Sequence, residues 1–236
     1  MRPFSFAMLL SAFVLLMPAA HADLLGPTPY KSFADSPWNG APNTYFHLET
    51  FEDGLLNTPG VTASTGSVLP PSGITDSVDG DDGSIDGSGN GGHSFFTADG
   101  AGGITFTFDK GVLGSLPNAA GIVWTDGTNT ILFKAYDQNG NLIGTLSSNT
   151  ADNSFDGETG EDRFFGATNA GGISKIFIQS GVAPAGLGGG MEVDHLQYGL
   201  LTVAQTGVPE PSSLYVAAVS LILVAFFRLR RRTTSQ

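Results

Sequence analysis

The sequence predicts an all-β protein: a single jelly-roll-like antiparallel β-sandwich, flanked by an N-terminal signal helix and a C-terminal hydrophobic helix. Short apolar stretches alternate with polar residues and are separated by loops rich in glycine, of which the chain has 33. No central segment keeps a helical period, and no internal repeat is visible, which argues against a propeller or solenoid. Residues 23–207 are long enough for one domain with its own core.

Eight strands follow from the hydrophobic pattern. The first and second alternate between apolar and polar residues, which is typical of half-buried strands. Asn139-Gly140 lies between two apolar stretches and is the strongest short-range signal of a hairpin. The adjacent Phe164 and Phe165 must point to opposite faces of their sheet. The predicted strands are Thr44–Phe51, Ile104–Phe108, Ile122–Trp124, Ile131–Tyr136, Leu142–Leu146, Arg163–Thr168, Ile173–Gln179 and Met191–Tyr198, and one helical turn is predicted within Asp109–Leu116.

The segment Asn57–Gly92 interrupts this rhythm, because it is rich in Gly, Ser, Asp and Pro and shows no strand pattern. Calcium binds about six to eight hard oxygens from carboxylates and carbonyls, and the stretch Asp76–Asn90 offers both. It is not an EF-hand, because counting from Asp79 puts Gly83 at position five and Asn90 at position twelve. The alternative is a solvated acidic loop.

A second group of carboxylates lies at the end of the first predicted strand and on the last one, which are often close in jelly rolls. These groups face solvent in the alternative interpretation. The candidate calcium ligands from both groups are Glu52, Asp76, Asp79, Asp81 and Asp194.

The charge of the central region excludes several classes of partner. All 22 acidic residues lie between Asp23 and Glu210, together with only five basic residues. Such a region repels nucleic acid and anionic lipid headgroups, and it favours divalent cations. Because the chain has no cysteine, it must be held together by packing, with calcium as a candidate structural cofactor, and not by disulfides.

No catalytic motif is evident. The chain lacks G-x-S-x-G, a cysteine nucleophile and a P-loop lysine. The remaining enzymatic alternative is a carboxylate pair such as Asp162 with Glu192, as in glycoside hydrolysis. A non-catalytic protein is therefore predicted, with Trp38, Asp126 and Arg163 as candidate ligand-binding residues in loops at one end of the sandwich.

The N-terminal region predicts export. Arg2 precedes the apolar stretch Phe4–Met17, and Ala20-His21-Ala22 supplies the small-x-small pattern that signal peptidase cleaves. Residues 1–22 are therefore predicted to be a signal peptide, cut before Asp23. The alternative, an N-terminal membrane anchor, is disfavoured by the short apolar stretch.

Residues 208–236 are predicted to be a targeting signal. Pro209-Glu210-Pro211 precedes the 14-residue apolar segment Leu214–Phe227. As a helix this segment reaches about 21 Å, less than a bilayer core of about 30 Å, so it is a marginal anchor. An arginine cluster then holds the end of the segment in the cytoplasm: Arg228, Arg230, Arg231 and Arg232.

These three parts, in this order, resemble a PEP-CTERM sorting signal. The resemblance covers about an eighth of the chain. It implies recognition by an exosortase, a membrane-embedded cysteine transpeptidase-like enzyme, and cleavage near Pro-Glu-Pro. Release or attachment at the surface of an exopolysaccharide-producing Gram-negative bacterium would follow. An ordinary C-terminal anchor, the alternative, needs no Pro-Glu-Pro and is usually longer.

The central region also resembles, less specifically, the galactose-binding-like domains of other exported PEP-CTERM proteins. The resembling segments are Phe46–Glu52, Gly121–Gly127, Glu161–Gly166 and Met191–Tyr198. This resemblance implies a lectin-like sandwich without naming a ligand. The sequence therefore predicts an exported cell-surface or extracellular-matrix protein, with exopolysaccharide as a candidate partner. The alternatives are a purely structural surface component and a polysaccharide-active enzyme.

Overall fold

The computed structural model describes residues 22–184 and 188–202, which form a sandwich of two antiparallel β-sheets. The predicted all-β, antiparallel sandwich is confirmed, whereas the two predicted flanking helices lie outside the described residues. The twelve strands are β1 (Ala22–Pro29), β2 (Asn43–Glu49), β3 (Val61–Ala63), β4 (Ser67–Leu69), β5 (Ser94–Thr97), β6 (Ile104–Phe108), β7 (Ala119–Asp126), β8 (Ile131–Asp137), β9 (Leu142–Ser148), β10 (Arg163–Asn169), β11 (Ile173–Gln179) and β12 (Met191–Leu201). Helical structure in the described residues comprises α1 (Lys110–Leu113) and two 3₁₀ turns, Phe33–Asp35 and Asp79–Asp82.

The larger sheet has seven strands, in the order β1-β10-β7-β12-β5-β4, and β2 pairs with the second half of β12. The smaller sheet has five strands, in the order β3-β6-β11-β8-β9. β12 is long because it pairs with β7 on one side and with two shorter strands, β5 and β2, on the other. Three long strands, β10, β7 and β12, therefore lie side by side in the middle of the larger sheet.

The main hydrophobic core lies between the two sheets, where alternate residues of each strand meet. Ile104 and Phe106 of β6 share this core with Ile122 and Trp124 of β7, and all four are fully buried. Each large apolar side chain buried in this way contributes roughly 1.5–3 kcal/mol. This packing, without any disulfide, holds the two sheets together.

The outer face of the larger sheet is covered as well. Phe164 and Phe165 point to opposite faces as predicted, and both are fully buried. Phe165 belongs to the main core, whereas Phe164 packs in a second cluster with Tyr30, Trp38 and Val78. Because the larger sheet is buried on both faces, polar residues on its outer face are also removed from water.

All eight predicted strands are present, with boundaries shifted by a few residues. The predicted hairpin joins β8 to β9, and Gly140 in its turn has a φ of 80°, a conformation that favours glycine. The predicted helical turn is α1.

Four strands were not predicted. In β1, Gly26-Pro27 interrupts the alternation and the pairing register shifts between Leu25 and Thr28. β3, β4 and β5 have only three or four residues, too few to show a period of two. Since β3 and β4 lie within Asn57–Gly92, the expectation that this segment contains no strand is wrong.

Within the described residues, no helix has both the length and the apolar character needed to cross a membrane. The predicted sorting segment, residues 208–236, and the predicted signal segment, apart from Ala22, lie outside the described residues.

Candidate metal centre

Antiparallel pairing brings acidic residues together at one edge of the larger sheet. The register sets Glu192 of β12 opposite Asp126 at the end of β7. It also sets Arg163, at the start of β10, opposite Trp124 of β7. Asp162 directly precedes Arg163 in the chain. Three acidic residues that are far apart in sequence therefore lie where the end of one strand meets the starts of its two neighbours.

Strand alternation places polar side chains on the outer face at this edge. Phe164 and Val123 belong to the second cluster, on the outer face of the larger sheet. Asp162 lies two positions from Phe164, and Thr125 lies two positions from Val123, so both face outward as well. Glu192 lies between two residues of the main core and faces outward for the same reason. The exposed fractions of Asp162, Thr125 and Glu192 are 0%, 0% and 4%.

The acidic loop, residues 75–92, lies over this edge. The backbone N–H of Asp76 donates to Oε2 of Glu192 (2.9 Å), and that of Val78 donates to Oδ2 of Asp194 (2.8 Å). Asp76 is 1% exposed. The beginning of the loop is therefore pinned to β12 and buried, and the alternative of a wholly solvated acidic loop is wrong.

A second loop, residues 149–162, closes the same region from another side. Asn90 Nδ2 of the acidic loop donates to the carbonyl oxygen of Asp156 (3.3 Å), and an isolated β-bridge joins the two loops again at Glu158. Glu161, near the end of the second loop, is buried. Both loops thus contribute acidic side chains to one enclosed region.

Six residues form what we call the carboxylate cluster: Asp76, Asp126, Glu158, Glu161, Asp162 and Glu192. Several polar oxygens in and beside it are buried and receive no hydrogen bond from any described residue; we call these the open oxygens. They are both carboxylate oxygens of Asp162, Oδ1 of Asp76, Oδ1 of Asp126, Oε2 of Glu158 and Oγ1 of Thr125. Buried polar groups normally have partners, and an uncompensated buried charge costs several kcal/mol. The cluster is therefore a candidate site for a cationic partner.

The basic side chains of the described residues do not supply that partner. Arg163 is the closest in sequence, but its Nη1 donates to the backbone carbonyl oxygens of Gly160 (3.2 Å) and Asp162 (2.7 Å). No ion pair joins a lysine or arginine to the carboxylate cluster within residues 22–184 and 188–202.

Burial and mutual repulsion raise the pKa values of the clustered carboxyl groups. Desolvation is the largest cause at each residue, and neighbouring carboxylates add to it. The pKa of Asp126 rises to about 7 and that of Glu161 to about 8. The pKa values of Asp76 and Asp162 are also raised strongly. Without a cation, the cluster therefore retains protons near neutral pH, and a cation would displace them.

The donor set suits calcium. Every ligand that the cluster offers is a hard oxygen from a carboxylate or a hydroxyl group, which is the set that calcium prefers. The cluster includes none of the nitrogen or sulfur ligands that are typical of zinc sites. The open oxygens would be its ligands, and they come from the sheet edge and from both loops. Among the described residues, no three side chains of the carboxylate cluster have ligand atoms that all lie within 4.8 Å of one another, so the loops would have to move closer to surround one ion.

A neighbouring polar group, which we call the histidine network, is satisfied without an ion. His195 Nε2 lies 2.9 Å from Oδ2 of Asp81, and His195 Nδ1 lies 2.9 Å from the hydroxyl of Tyr30. Asp194 accepts the backbone N–H groups of Val78 (2.8 Å) and His195 (2.6 Å). Ligand atoms of Asp81, Asp194 and His195 lie within 4.8 Å of one another. Each already has a protein partner, so this group needs no metal.

Of the five predicted calcium ligands, Asp76 carries an open oxygen. Asp81 and Asp194 belong to the histidine network. The carboxylate of Asp79 accepts the backbone N–H groups of Asp86 (3.0 Å) and Gly87 (3.1 Å) and so shapes the acidic loop. Glu52 accepts the backbone N–H of His93 (2.6 Å) outside the cluster.

Sequence reasoning did not predict Asp162, Glu158 and Glu161 as calcium ligands. Glu161-Asp162 directly precedes a predicted strand and Asp126 directly follows one, and this position at strand ends was the available signal. Asp162 and Glu192 were paired as the enzymatic alternative, and the structure does bring both into the cluster.

The three candidate ligand-binding residues have separate locations. Trp38 is 5% exposed and packs edge-on against Phe164 at 5.2 Å, so its ring is not a surface for stacking on a sugar. Asp126 belongs to the carboxylate cluster, and Arg163 holds the end of the second loop.

No protein-family model matches the chain, and no curated protein matches it. The distantly similar solved structures include the following two. One is the enzymatically active domain of bacteriophage CBA120 tailspike protein 4, at 15% identity and a TM-score of 0.31, over 65% of this chain and 21% of that chain. The other contains CBM51-2 in complex with GlcNAc and INT domains from Clostridium perfringens ZmpB, at 13% identity and a TM-score of 0.32, over 65% and 32%. The chain thus spans a third or less of either structure, and TM-scores this low leave its function open.

Proposed function

We propose that this protein is an exported, non-catalytic surface or extracellular-matrix protein whose β-sandwich is completed by calcium. The strongest support is the state of Asp162: its side chain is fully buried, and both of its carboxylate oxygens are open oxygens. Calcium would compensate this charge. It would also fasten both loops to the sheet edge, because its ligands come from all three places.

Burial of the carboxylates supports a non-catalytic role. A glycoside hydrolase needs two carboxyl groups that reach the scissile bond from either side. Asp162 and Glu192 lie under the acidic loop and are almost fully buried, so a polysaccharide chain could not reach them without displacing that loop.

A cleft next to the second loop supports polysaccharide as the ligand. Its volume is about 200 Å³, and amide and hydroxyl side chains line much of it: Asn129, Thr130, Asn149, Ala151 and Asn153. Oδ1 of Asn149 and Oδ1 of Asn153 accept hydrogen bonds from Thr130 Oγ1 and from the backbone N–H of Asn129. The Nδ2 groups of Asn149 and Asn153 are left to donate to sugar hydroxyl groups. Because Asn149, Ala151 and Asn153 belong to the second loop, we expect glycan binding to depend on calcium. A purely structural surface component remains the second candidate function.

The calcium proposal is tested with the full chain purified in detergent and freed of metal with a chelator. Calorimetric titration with calcium should give a saturable heat change, and calcium should raise the melting temperature. A glycan array is then probed with calcium and with chelator. Binding that needs calcium supports the polysaccharide ligand, whereas calcium binding without any glycan signal supports the structural alternative. The absence of both heat and a melting shift would contradict the proposal.

For delivery we propose cleavage by signal peptidase, transient anchoring in the inner membrane and processing by an exosortase. The order of the Pro-Glu-Pro motif, the short apolar segment and the arginine cluster supports this route. Replacing Pro209, Glu210 and Pro211 with alanine should leave the unprocessed precursor in the membrane fraction. Processing at the normal rate in that variant would refute the sorting proposal.

A further inference from the structure

The outer face of the smaller sheet carries two cross-strand pairs, each of a lysine and an aromatic residue. Lys134 and Tyr136 of β8 alternate with side chains of the main core, so they face outward. Lys175 and Phe177 of β11 face outward for the same reason. Lys134 Nζ lies 5.3 Å from the centre of the Phe177 ring, and Lys175 Nζ lies 4.6 Å from the centre of the Tyr136 ring. We call these four residues the lysine–aromatic face.

The contacts between lysines and rings order this face and leave its charge available. The attraction between an ammonium group and the face of a ring holds a long side chain that otherwise has many rotamers. All four side chains are partly exposed. In the part of the chain that the structure describes, no ion pair joins Lys134 or Lys175 to a carboxylate. Two ordered positive charges therefore lie at the surface without a counter-charge from the described residues.

The strands around the lysine–aromatic face add hydroxyl groups and almost no negative charge. Thr105 and Thr107 of β6 lie beside β11, and Thr145 of β9 lies opposite Lys134. The five strands of the smaller sheet contain one acidic residue, Asp137, at the end of β8. Its carboxylate accepts backbone N–H groups of the following hairpin turn. In a chain with 22 acidic residues, this face therefore differs in charge from the rest of the molecule.

The lysine–aromatic face and the carboxylate cluster lie on opposite sides of the sandwich. The cluster is on the outer face of the larger sheet, and packed sheets are about 10 Å apart. At physiological ionic strength, exposed charges more than about 8 Å apart are largely screened. The exposed acidic residues above the larger sheet therefore do not cancel the local positive charge of the smaller one.

We infer that the lysine–aromatic face binds an acidic polysaccharide, whose sugar units carry carboxylate groups. The ammonium groups pair with these carboxylates, the partly exposed rings contact the apolar faces of the sugars, and the threonine hydroxyls bond to sugar hydroxyl groups. A single exposed ion pair is weak, so the ligand must offer several carboxylates at once, as a repeating polymer does. The inference goes beyond the proposed function, because this site is separate from the polar cleft and does not depend on calcium.

Charge favours this occupant over a second copy of the chain or a neutral polysaccharide. A polysaccharide chain can lie along the lysine–aromatic face alone, whereas a second copy would bring its many acidic residues close to those of the first. A neutral polysaccharide would leave both ammonium groups without a counter-charge.

The ligand class is tested with the full chain in detergent and two probes that differ in charge. One probe is an oligogalacturonate too short to gel with calcium, and the other is its methyl ester, in which the carboxylates are neutral. In titration calorimetry, the oligogalacturonate should bind both in calcium and in chelator. The methyl ester should bind more weakly by about fivefold or more, because the ion pairs are lost.

Three results would overturn the inference. Equal binding of the two probes would identify a neutral polysaccharide as the ligand. Binding that requires calcium would assign the glycan to the polar cleft of the proposed function. No binding of either probe would exclude the lysine–aromatic face as a glycan site, and the calcium titration of the proposed function would be unaffected.

The site is tested with Lys134→Gln combined with Lys175→Gln, which removes both charges and keeps most of each side chain. Its affinity for the oligogalacturonate should fall by about tenfold, with the melting temperature in calcium close to that of the wild type. The matched control combines Lys31→Gln with Lys110→Gln, which removes two charges from exposed residues outside this face and should bind as tightly as the wild type. Equal losses in both variants would show that net charge alone matters and would overturn the site.

Sedimentation of the same proteins tests the second copy as the occupant. The wild type and the variant at Lys134 and Lys175 should sediment alike. A dimer that forms in the wild type and is lost in this variant would overturn the polysaccharide ligand.

Discussion

The carboxylate cluster and the histidine network are neighbours under the acidic loop. Each contains a fully buried carboxylate, but only the one in the histidine network has hydrogen-bond donors among the described residues. Asp162 and Asp194 are both fully buried on the outer face of the larger sheet. Asp194 accepts two backbone N–H groups, whereas both oxygens of Asp162 are open oxygens. A buried carboxylate can be stabilised by donors of its own chain or by a cation from outside. Asp194 is a case of the first kind, and we propose that Asp162 is a case of the second.

Local geometry explains the difference. In the histidine network the hydrogen bonds form a continuous chain: Gln197 Nε2 donates to the Tyr30 hydroxyl, that hydroxyl is hydrogen-bonded to His195 Nδ1, and His195 Nε2 is hydrogen-bonded to Asp81. Burial raises the pKa of Tyr30, which keeps its hydroxyl available as a donor. The carboxylate cluster lies where three strands start or end, and there Asp162 gains no donor from any described residue.

Removal of calcium should have the largest effect on the stability of the protein. Calcium at about 1,000 times its dissociation constant stabilises the folded state by about 4 kcal/mol. For a domain of this size, that corresponds to a fall in melting temperature of roughly 8–16 °C when chelator is added. Differential scanning calorimetry measures it. An unchanged melting temperature would mean that the cluster, like the histidine network, is satisfied without an ion.

The effect of Asp162→Asn on the free energy of unfolding should have opposite signs in calcium and in chelator. In calcium the variant should be less stable than the wild type by about 1–3 kcal/mol, because a ligand is lost. In chelator it should be more stable than the wild type, because the wild-type carboxyl group must take up a proton to be buried without calcium, whereas the amide is neutral in both the folded and the unfolded state. Denaturant unfolding under both conditions measures this.

Asp194→Asn is the matched control for that crossover. It should be destabilised in both conditions, because the new amide group can replace only one of the two acceptors. A variant at Asp162 that is less stable in chelator as well would show that its carboxylate has a structural partner.

Without calcium, stability should fall as pH rises. Folding raises the pKa of Asp126 from 3.8 to about 7 and that of Glu161 from 4.5 to about 8. Between about pH 4 and 8 the folded state thus holds more protons than the unfolded state, so the free energy of unfolding decreases with pH. Melting temperatures in chelator across this range test the sign, and calcium should reduce the decrease. A melting temperature that rises with pH in chelator would contradict the buried cluster.

Tyr30→Phe should have the smallest effect. It removes the hydroxyl that joins Gln197 to His195, which costs about 1 kcal/mol. Since this hydroxyl belongs to the histidine network, the affinity for calcium measured by titration calorimetry should not change. A weaker affinity would show that the two polar groups act as one unit.

Prediction from sequence succeeded where a pattern is local. The strict alternation in Ile104–Phe108 and the Asn139-Gly140 turn are properties of neighbouring residues, and both appear in the structure as predicted. β3 and β4 were missed because a strand of three residues is too short to show a period of two. Each is identified as a strand only by its pairing, β3 with β6 and β4 with β5. Likewise, Asp76 was predicted as a calcium ligand because it lies in the acidic loop. Asp162 was considered only as a catalytic partner of Glu192, because its position before a strand is its only sign of metal binding in the sequence.

The sequence by itself determined the all-β class, the acidic and cysteine-free character of the central region, and the segments that predict export and sorting. These follow from composition, short-range periodicity and short linear motifs. The tertiary structure alone decided which carboxylates meet, because Asp76, Asp126, Asp162 and Glu192 come together through antiparallel register and a loop folded across the sheet edge. It also decided which of them lack a partner among the described residues, since hydrogen-bond satisfaction depends on groups that are distant in the chain.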